Sequence, residues 1–549
     1  MTFKKIFYYL ISFMFLAGIP LLLFRPIISF YNGAFLLILI FASALIAMYH
    51  LGDKKRKEKA ENTEKSENTD KSSIAFSVLI FVLLISFWLL NWVVRFDIFQ
   101  ASDYQKILGK VHENSSFEKD IHEAKKDQMI IFDEMVARTL GEKVLGSETT
   151  LGSQAELGTF VLQNVDGKFY WIAPLVHSGF FKYWSNEDQG SPGYVKVSAN
   201  DDQDVELVTH VKGKKLHLVY QTGAYFMKNL NNHLYFHGYS TYKIDQPEFE
   251  IDDNGNPFWV VPISKKHFAS KELNVDRLLI VNPANGDIKE YKTSNVPKWV
   301  DRIYTPEILV DQVDWWGEYV HGYWNFAHRD IMVPSGEMVM VYGKEGHCMW
   351  YQGMTSKGLD NATVGFLLID SKNKKVNFYK RVGATEIAAM QSAEGKVQDK
   401  GYTAGHPTAY NISGEPTYLV PLHDKSNLVK AIALVNIHDF NHLTVGVTLS
   451  DALRDYSILM SDDAMRKSGN SMTQKINAKV LRVGSFSRGG VNSVALLIDG
   501  KEKLTLFGDP STLTDLLFVN SNDSIHVEYL LISGQNFGNI AEFKNLSIK

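Results

Sequence analysis

Three long apolar runs stand at the head of the chain, and after them the hydrophobic pattern breaks into short alternating pieces. Residues 6–24 carry no charge between Lys5 and Arg25, a second run covers 27 to about 48, and a third covers 74–94. At 1.5 Å rise per residue each is long enough for a hydrocarbon core of about 30 Å. The pattern predicts three transmembrane helices, with the first two joined in a tight hairpin by Arg25 and Pro26 alone. No small-residue cleavage site follows the first run and a second span starts at once, so it reads as an anchor and not as a signal peptide. Lys4 and Lys5 precede the first span, and Lys54, Lys55, Arg56, Lys57 and Lys59 follow the second. These basic flanks put the N-terminus and the loop 50–73 in the cytoplasm. The expected location is the plasma membrane, with residues 6–94 in contact with the lipid bilayer and residues 96–549 extracytoplasmic. The loop is too poor in apolar residues to fold and reads as a charged linker. The spans hold no charged residue, which argues against a transporter or proton relay.

Beyond this anchor (1–96) a helical stalk is expected over 97–126, near Ser102–Lys126. Then one pattern recurs. Asp252-Asp253-Asn254-Gly255-Asn256-Pro257-Phe258-Trp259-Val260-Val261-Pro262-Ile263 reads as an Asn-Gly turn feeding an aromatic-rich strand that stops at a proline. Residues 166–175 and 413–422 repeat the layout, and in all three the proline sits seven places after the glycine (167 to 174, 255 to 262, 414 to 421). A weaker copy runs from Ser335 through Gly336 to Gly343, with glycine where the proline should be. The four glycines are 88, 81 and 78 residues apart, a spacing of the kind internal repeats produce.

Each copy is followed by a second hairpin around a polar turn, at 194–208, 277–291, 365–379 and 431–445. Each is also preceded by a helical stretch. Phe132, Met135, Val136 and Leu140 share a face before the first copy, and Phe226, Leu230 and Leu234 before the second, where Gly238 supplies a stop. The third helix has Thr305 as cap, Pro306 in its first turn, and Leu309, Val313, Trp316, Val320 and Tyr323 on one face. The fourth starts at Thr385 with Ile387, Met390 and Val397 inward. Four units of a helix on a small antiparallel sheet are therefore expected, at 127–215, 216–296, 297–383 and 384–449.

The helix, then Phe258-Trp259-Val260-Val261-Pro262, then Ile280-Val281-Asn282-Pro283-Ala284-Asn285-Gly286-Asp287-Ile288, resembles a PepSY domain. Such modules end in an apolar strand, an Asp/Asn-Gly turn and a return strand. The whole chain is similar to large membrane-anchored proteins of Gram-positive bacteria that carry these units in tandem. The resemblance covers residues 125–450, and only the second unit keeps the turn glycine, Gly286. It implies a protein-binding or peptidase-modulating role and brings no catalytic residues with it.

Ser450 is placed to cap a linker helix over 450–470 that carries Ala452, Leu453, Tyr456 and Leu459 inward. From 471 to 549 the pattern is three strands (476–483, 493–499, 502–507), a short helix (511–516) and two strands (524–531, 539–546). That is the order of an OB-like β-barrel. Arg482, Phe486 and Arg488 fall on its ligand-face strand. An extracytoplasmic barrel without a strong basic or aromatic stripe reads as a protein-contact or structural module. The fold class is α+β.

Composition narrows the function further. The 549 residues carry a formal net charge of -4, which gives no electrostatic case for nucleic acid. The single cysteine, Cys348, rules out an internal disulfide. His233 and His237 have the spacing of a helical zinc pair, but no glutamate follows the first histidine, so they read as a helix-surface pair. His438 and His442 fall in a polar turn. Asp311, Asp314 and Glu318 read as a solvated helix face. Asp252–Gly255 lacks the closing glutamate of a calcium loop, with Pro262 in its place. Trp315, Tyr319, Tyr323 and Trp324 read as an aromatic seam between units. Neither G-x-S-x-G nor a phosphate loop occurs. No catalytic, cofactor-binding or metal-binding residue is assigned, and no cofactor is expected. The reading is a non-enzymatic, membrane-anchored extracytoplasmic scaffold or binding protein with a protein or envelope partner. The alternatives are a regulator or inhibitor of a secreted peptidase, and an enzyme with a cryptic site between units, resting on the His/Asp/Glu-rich stretch 311–330. The arrangement of the units and the oligomeric state are left open by the sequence.

Overall fold

The computed structural model describes residues 3–60, 67–113, 121, 126–148, 155–265, 274–343, 348–358, 362–380, 383–412, 414–468, 474–488, 491–499, 504–531 and 537–548. It is a mixed α+β structure that opens with helices Phe3–Phe24, Gly33–Ala60 and Glu67–Val94. Two stretches, Gly33–Gly52 and Ile74–Val94, are long and apolar enough to cross a membrane; the apolar part of the first helix described is the shorter Ile11–Phe24. The first connection spans residues 25–32, not the expected two. Arg25 takes a positive φ of 46°, Pro26 follows, and Asn32 Oδ1 accepts the Phe35 N–H at 3.1 Å, so a side-chain cap fixes the second helix start at Gly33. The polar tract is also more ordered than a linker. The second helix runs on to Ala60 and the third begins at Glu67, because Lys, Glu and Ala extend an existing helix without a new nucleus.

The stalk expectation is corrected over 105–113, while 114–120 and 122–125 lie outside the described residues: after the helix Glu67–Val94 comes a helix Asp97–Tyr104, and Val111–Glu113 joins a sheet edge, parallel to Val376–Tyr379. Tyr104, Ile107 and Leu108 are buried against Leu309 and Val313. A strand pairing with a partner more than 250 residues away leaves no local periodicity to read.

Four sheets of five or six strands follow, then a closed five-stranded barrel. The first, second and fourth sheets each have a central strand that enters from a tight turn: Lys168–His177, Pro257–Ser264 and Glu415–His423. These strands do not stop at their prolines. In each, the flanking position is shared by two short strands, and the proline lies at the gap between them. Pro174 falls between the pairings of Ala155–Leu157 and Val161–Val165, Pro262 between those of Lys243–Ile244 and Glu248–Ile251, and Pro421 between those of Thr403–Ala404 and Thr408–Ile412. A residue without an N–H belongs where the ladder is interrupted. Its carbonyl is still used, accepting from Gly158 N (2.8 Å), Asp245 N (3.0 Å) and Gly405 N (2.8 Å) respectively.

In the third sheet the expected turn is displaced. Gly336 lies inside strand Met332–Tyr342, at φ 65° in a bulge, and the central strand is Cys348–Ser356. The turn that feeds it, 344–347, lies outside the described residues. Trp350 and Gly353 then stand where Trp259 and Pro262 stand in the second sheet, with Gly353 opposite Ser335 at the bulge.

The tryptophans of these strands make one bond in common. Trp171, Trp259 and Trp350 donate Nε1–H to the carbonyls of Phe132 (2.7 Å), Tyr220 (2.9 Å) and Tyr304 (2.7 Å), each just ahead of its unit's helix. The N–H groups of those three residues in turn reach the carbonyls of Ala199, Pro283 and Ser371 in the following hairpin turn. Trp259→Phe keeps the buried ring but leaves the Tyr220 carbonyl without this donor. It is expected to cost about 1–2 kcal/mol, read as a lower thermal midpoint by circular dichroism.

The helix faces differ from expectation in all four units. In Glu134–Ser147 the buried residues are Val136, Ala137, Gly141 and Leu145, while Met135 is exposed. In Glu386–Lys396 they are Glu386, Ala388, Ala389 and Ala393, while Ile387 faces out. Small residues let these helices sit close on their sheets, and that pushes the larger apolar side chains outward. In the second unit Leu230 and Leu234 are fully buried, but Phe226 is exposed on a separate turn. The third helix ends at Glu318, before Val320 and Tyr323. The first and second sheets share one core through Ile172, Leu230, Phe249 and Val261, and the third and fourth share another through Tyr351, Phe366, Ala389 and Val420. Each fully buried large aliphatic or aromatic side chain contributes about 1.5–3 kcal/mol.

Helix Leu449–Ser468 links the fourth sheet to the barrel; its first N–H groups are met by Thr448, not Ser450. The barrel runs Gln474–Arg488, Val491–Ile498, Leu504–Gly508, Phe537–Asn545, Ser524–Leu531 and back to the first strand, with its third and fifth strands parallel.

Candidate functional site

The segment ahead of the first helix, the bulged strand of the third sheet and the fourth helix converge on a cleft of about 510 Å³. Ile131, Phe160, Leu162 and Trp171 form one wall. Met338, Met340 and Trp350 form another, and Ile387, Met390 and Pro407 close it. Ile387, which faces out, and Met390, which is partly buried against the core of the third and fourth sheets, are both cleft residues. Two sheet edges meet here: Met332–Tyr342 is the last strand of the third sheet, and Thr408–Ile412 is an outer strand of the fourth. Among the described residues no further strand pairs with either edge.

The polar groups are few and mostly acidic. Asp133, Glu134, Glu337 and Glu386 line the cleft with Arg302 and His406. His406 and Glu337 are exposed, 3.8 Å apart. Asp133 caps its helix by accepting the Val136 N–H at 3.1 Å, and its other oxygen lies 3.5 Å from buried His423 Nε2.

Glu386 is the unusual member. Thr385 caps its helix at the Ala388 N–H (3.1 Å), which fixes Glu386 in the first turn with its side chain under the bulge. Only 4% of the residue is exposed. Ser335 Oγ donates to its Oε2 at 3.1 Å. A Cβ at Gly336 would come within 3.0 Å of Oε2, and one at Gly353 within 2.6 Å of Oε1, so both glycines make room for the carboxyl. Burial pushes it up to about 7, against hydrogen bonding from Ser335, Tyr418 and the Gly353 backbone. Behind it the Tyr351 and Tyr418 hydroxyls share a 2.7 Å hydrogen bond.

Arg302 forms the floor and belongs to a second buried cluster. Its Nε lies 3.2 Å from Glu248 Oε2, its amino group donates to Leu162 O at 2.8 Å, and Trp350 packs beside it. Glu250 accepts the Asp301 N–H at 3.0 Å. Burial first, and then the neighbouring Asp301 carboxylate, hold Glu250 well above the usual carboxyl range.

Several motifs singled out in the sequence lie elsewhere. The His233 and His237 ring centroids lie 4.1 Å apart with the planes tilted by 42°, His233 Nε2 on the Gly286 carbonyl (2.8 Å) and His237 Nδ1 on the His233 carbonyl (2.7 Å). His438 and His442 lie in the turn after Val429–Asn436. Asp252 folds back on the Asn254 and Asn256 N–H groups, which makes its segment a hairpin turn, and Trp259 is buried. Trp315 stacks on Tyr104 and Tyr319 packs beside it, whereas Trp324 is exposed. Arg482 is exposed on the barrel, and the side chains of Phe486 and Arg488 lie outside the described residues. No group of three or more His, Cys, Asp or Glu side chains among the described residues is arranged to hold a metal ion. Cys348 is buried and its thiol is pushed up by burial, so it is no nucleophile.

Sequence reasoning missed Glu386 because helical periodicity put Ile387 inward. The signal available was the run Ala388, Ala389, Ala393, a small-residue face one position away. No known protein family, curated protein or solved structure matches this chain.

Proposed function

We propose that this chain is a membrane-anchored, non-enzymatic binding protein that holds an extended segment of a protein partner in the cleft. The observation that carries the reading is the edge of Met332–Tyr342, which pairs with no further strand among the described residues and runs along an apolar groove. A segment laid there gains main-chain hydrogen bonds as an added strand, and alternate side chains enter the groove. Met338, Met340 and Met390 suit variable apolar side chains. Four carboxyl groups against one guanidinium and one imidazole favour a segment carrying Lys or Arg.

The four sheets with their helices are read as copies of one unit. The tryptophan bond in the first three, the flank interrupted at the proline in the first, second and fourth, and in all four an N–H ahead of the helix (Phe132, Tyr220, Tyr304, Ala384) donating to a carbonyl after the following strand support this. The barrel order, with parallel third and fifth strands, supports an OB-like module, taken here as a protein contact. The helix Phe3–Phe24 is read as a third span, with the N-terminus cytoplasmic and residues 96–549 outside, on the basic flanks and on the Arg95 guanidinium bond to Tyr31 O that joins the ends of the helices. The PepSY resemblance makes a secreted peptidase the first class of partner to seek.

The test places a photo-crosslinking amino acid at Met338 in the full chain in cells. One discrete protein adduct is expected, and Met340→Asp in the same chain should abolish it. An adduct unaffected by Met340→Asp, or no adduct, removes the reading. The enzyme alternative has one observation in its favour, the near-neutral Glu386 carboxyl. It stands if the purified full chain hydrolyses peptides or glycans and Glu386→Gln abolishes that activity.

A further inference from the structure

We propose that the extracytoplasmic part does not stand off the membrane but rests on it through an aromatic patch that enters the lipid interface. The patch joins two segments. Helix Phe180–Asn186 contributes Phe180, Phe181 and Trp184, and the turn at Phe226–Lys228 contributes Tyr225, Phe226 and Met227. Phe181 is 82% exposed, Trp184 62% and Phe226 59%. The Phe180 ring lies 5.2 Å from Tyr225 and 6.2 Å from Phe226, so the surface is continuous. A soluble face seldom leaves so many large rings to water.

The occupant is argued from where the chain leaves the apolar helices. Asn232 donates its side-chain amide to Phe226 O at 2.6 Å. Asn229 and Asn232 in turn line one recess with Phe24, Arg25 and Ile27, the end of the first helix and the loop after it. Two bonds tie the same segment down: Tyr235 OH donates to Pro26 O (2.9 Å) and Ile28 N donates to Ser240 O (2.8 Å). The patch therefore continues directly from the point at which the chain exits the bilayer. Rings at that level have the chemistry of an interfacial aromatic belt, and Lys182 and Lys228 beside them suit anionic headgroups. The proposal rests on the anchoring reading.

The test uses the full chain in nanodiscs of phosphatidylglycerol and phosphatidylethanolamine, with single nitroxide labels at Phe181→Cys and Phe226→Cys. Leu83→Cys in the third apolar helix and Asp202→Cys in an exposed turn are references; the parent chain, whose Cys348 is buried, is the blank. Labels at 181 and 226 are expected to be accessible to oxygen and shielded from a water-soluble nickel chelate, like Leu83 and opposite to Asp202. A Leu83 label in lipid with nickel-accessible labels at 181 and 226 overturns the membrane contact while leaving the anchor intact. Labels at 181 and 226 shielded from both reagents indicate a protein on the patch and also overturn it. A nickel-accessible Leu83 removes the anchoring reading itself.

Discussion

Arg302→Met is expected to lower the unfolding free energy of the part beyond the apolar helices by about 3–5 kcal/mol, the cost of stripping a buried carboxylate of its counter-charge. Arg302 is 5% exposed and reaches three sheets: Leu162 O in the first, Glu248 in the second and Trp350 in the third. Methionine keeps the length of side chain beside Trp350, so most of the loss is electrostatic and not a cavity. What remains is Glu248, Glu250 and Asp301 in one buried space. Burial already raises Glu248 and Glu250, and the guanidinium is the group that pulls both back. Without it both rise further. A carboxyl whose folded pKa is raised contributes stability that is fully present below its unfolded pKa and is lost as pH rises through the folded value. The deficit of the variant should therefore be small near pH 4 and grow towards pH 8. Thermal unfolding of the full chain in detergent, followed by circular dichroism at both pH values, checks this; equal midpoints for parent and variant at pH 8 would sink the idea. Glu250→Gln added to Arg302→Met should recover part of the loss.

Much of the architecture can be read without coordinates, because local chemistry dictates it. The Asn-Gly turn at 254–255 and the Asp-Gly turn at 166–167 start strands where expected, since Asp166, Gly167 and Gly255 take the positive φ such turns need. The barrel strands appear near their expected places because each is a short β-prone run bounded by polar or glycine-containing segments. The failures are of two kinds. The third unit was misplaced by ten residues since Gly336 and its aliphatic neighbours imitate a turn and strand, whereas the glycine serves a bulge that seats a carboxyl. A lone glycine in a strand pattern is compatible with either. The stalk expectation missed residues 111–113 for a different reason: Val111–Glu113 is a strand only because a distant edge accepts it.

The candidate site was far less legible. Its walls come from segments some 290 residues apart in sequence, Ile130 to Pro421, and none of its residues forms a motif with its neighbours. Motif spacing pointed instead to His233/His237 and Asp252–Gly255, where His237 and the Asp252 carboxylate are engaged by nearby backbone and His233 by the distant Gly286 carbonyl. The buried carboxyl cluster at Glu248, Glu250 and Asp301 is likewise invisible locally, because alternation in the strand Glu248–Ile251 reads its glutamates as solvent-facing. They point into a junction between sheets.

Glu386→Gln is expected to stabilise the protein above neutral pH by about 3 kcal/mol while changing little near pH 4. The folded carboxyl stands at about 7 against an ordinary value of 4.5, with burial as its cause. A difference of that size corresponds to about 3 kcal/mol at 1.36 kcal/mol per unit. The sign follows from the raised value: the stabilising contribution is complete below about pH 4.5 and is lost as pH rises through 7. Glutamine has no proton to lose and retains an oxygen for the Ser335 hydroxyl, so the variant should hold its midpoint over this range while the parent declines. Parallel pH profiles for the two chains would show that the carboxyl is not held up by its surroundings. The same residue links stability to binding. A basic segment in the cleft favours the ionised carboxyl, so the parent should bind such a segment more tightly at pH 8 than at pH 6, whereas the variant should lose most of that dependence. Photo-crosslinking yield from Met338 at the two pH values reads it directly. A carboxyl that costs stability when empty is retained with least loss where a partner's cation meets it.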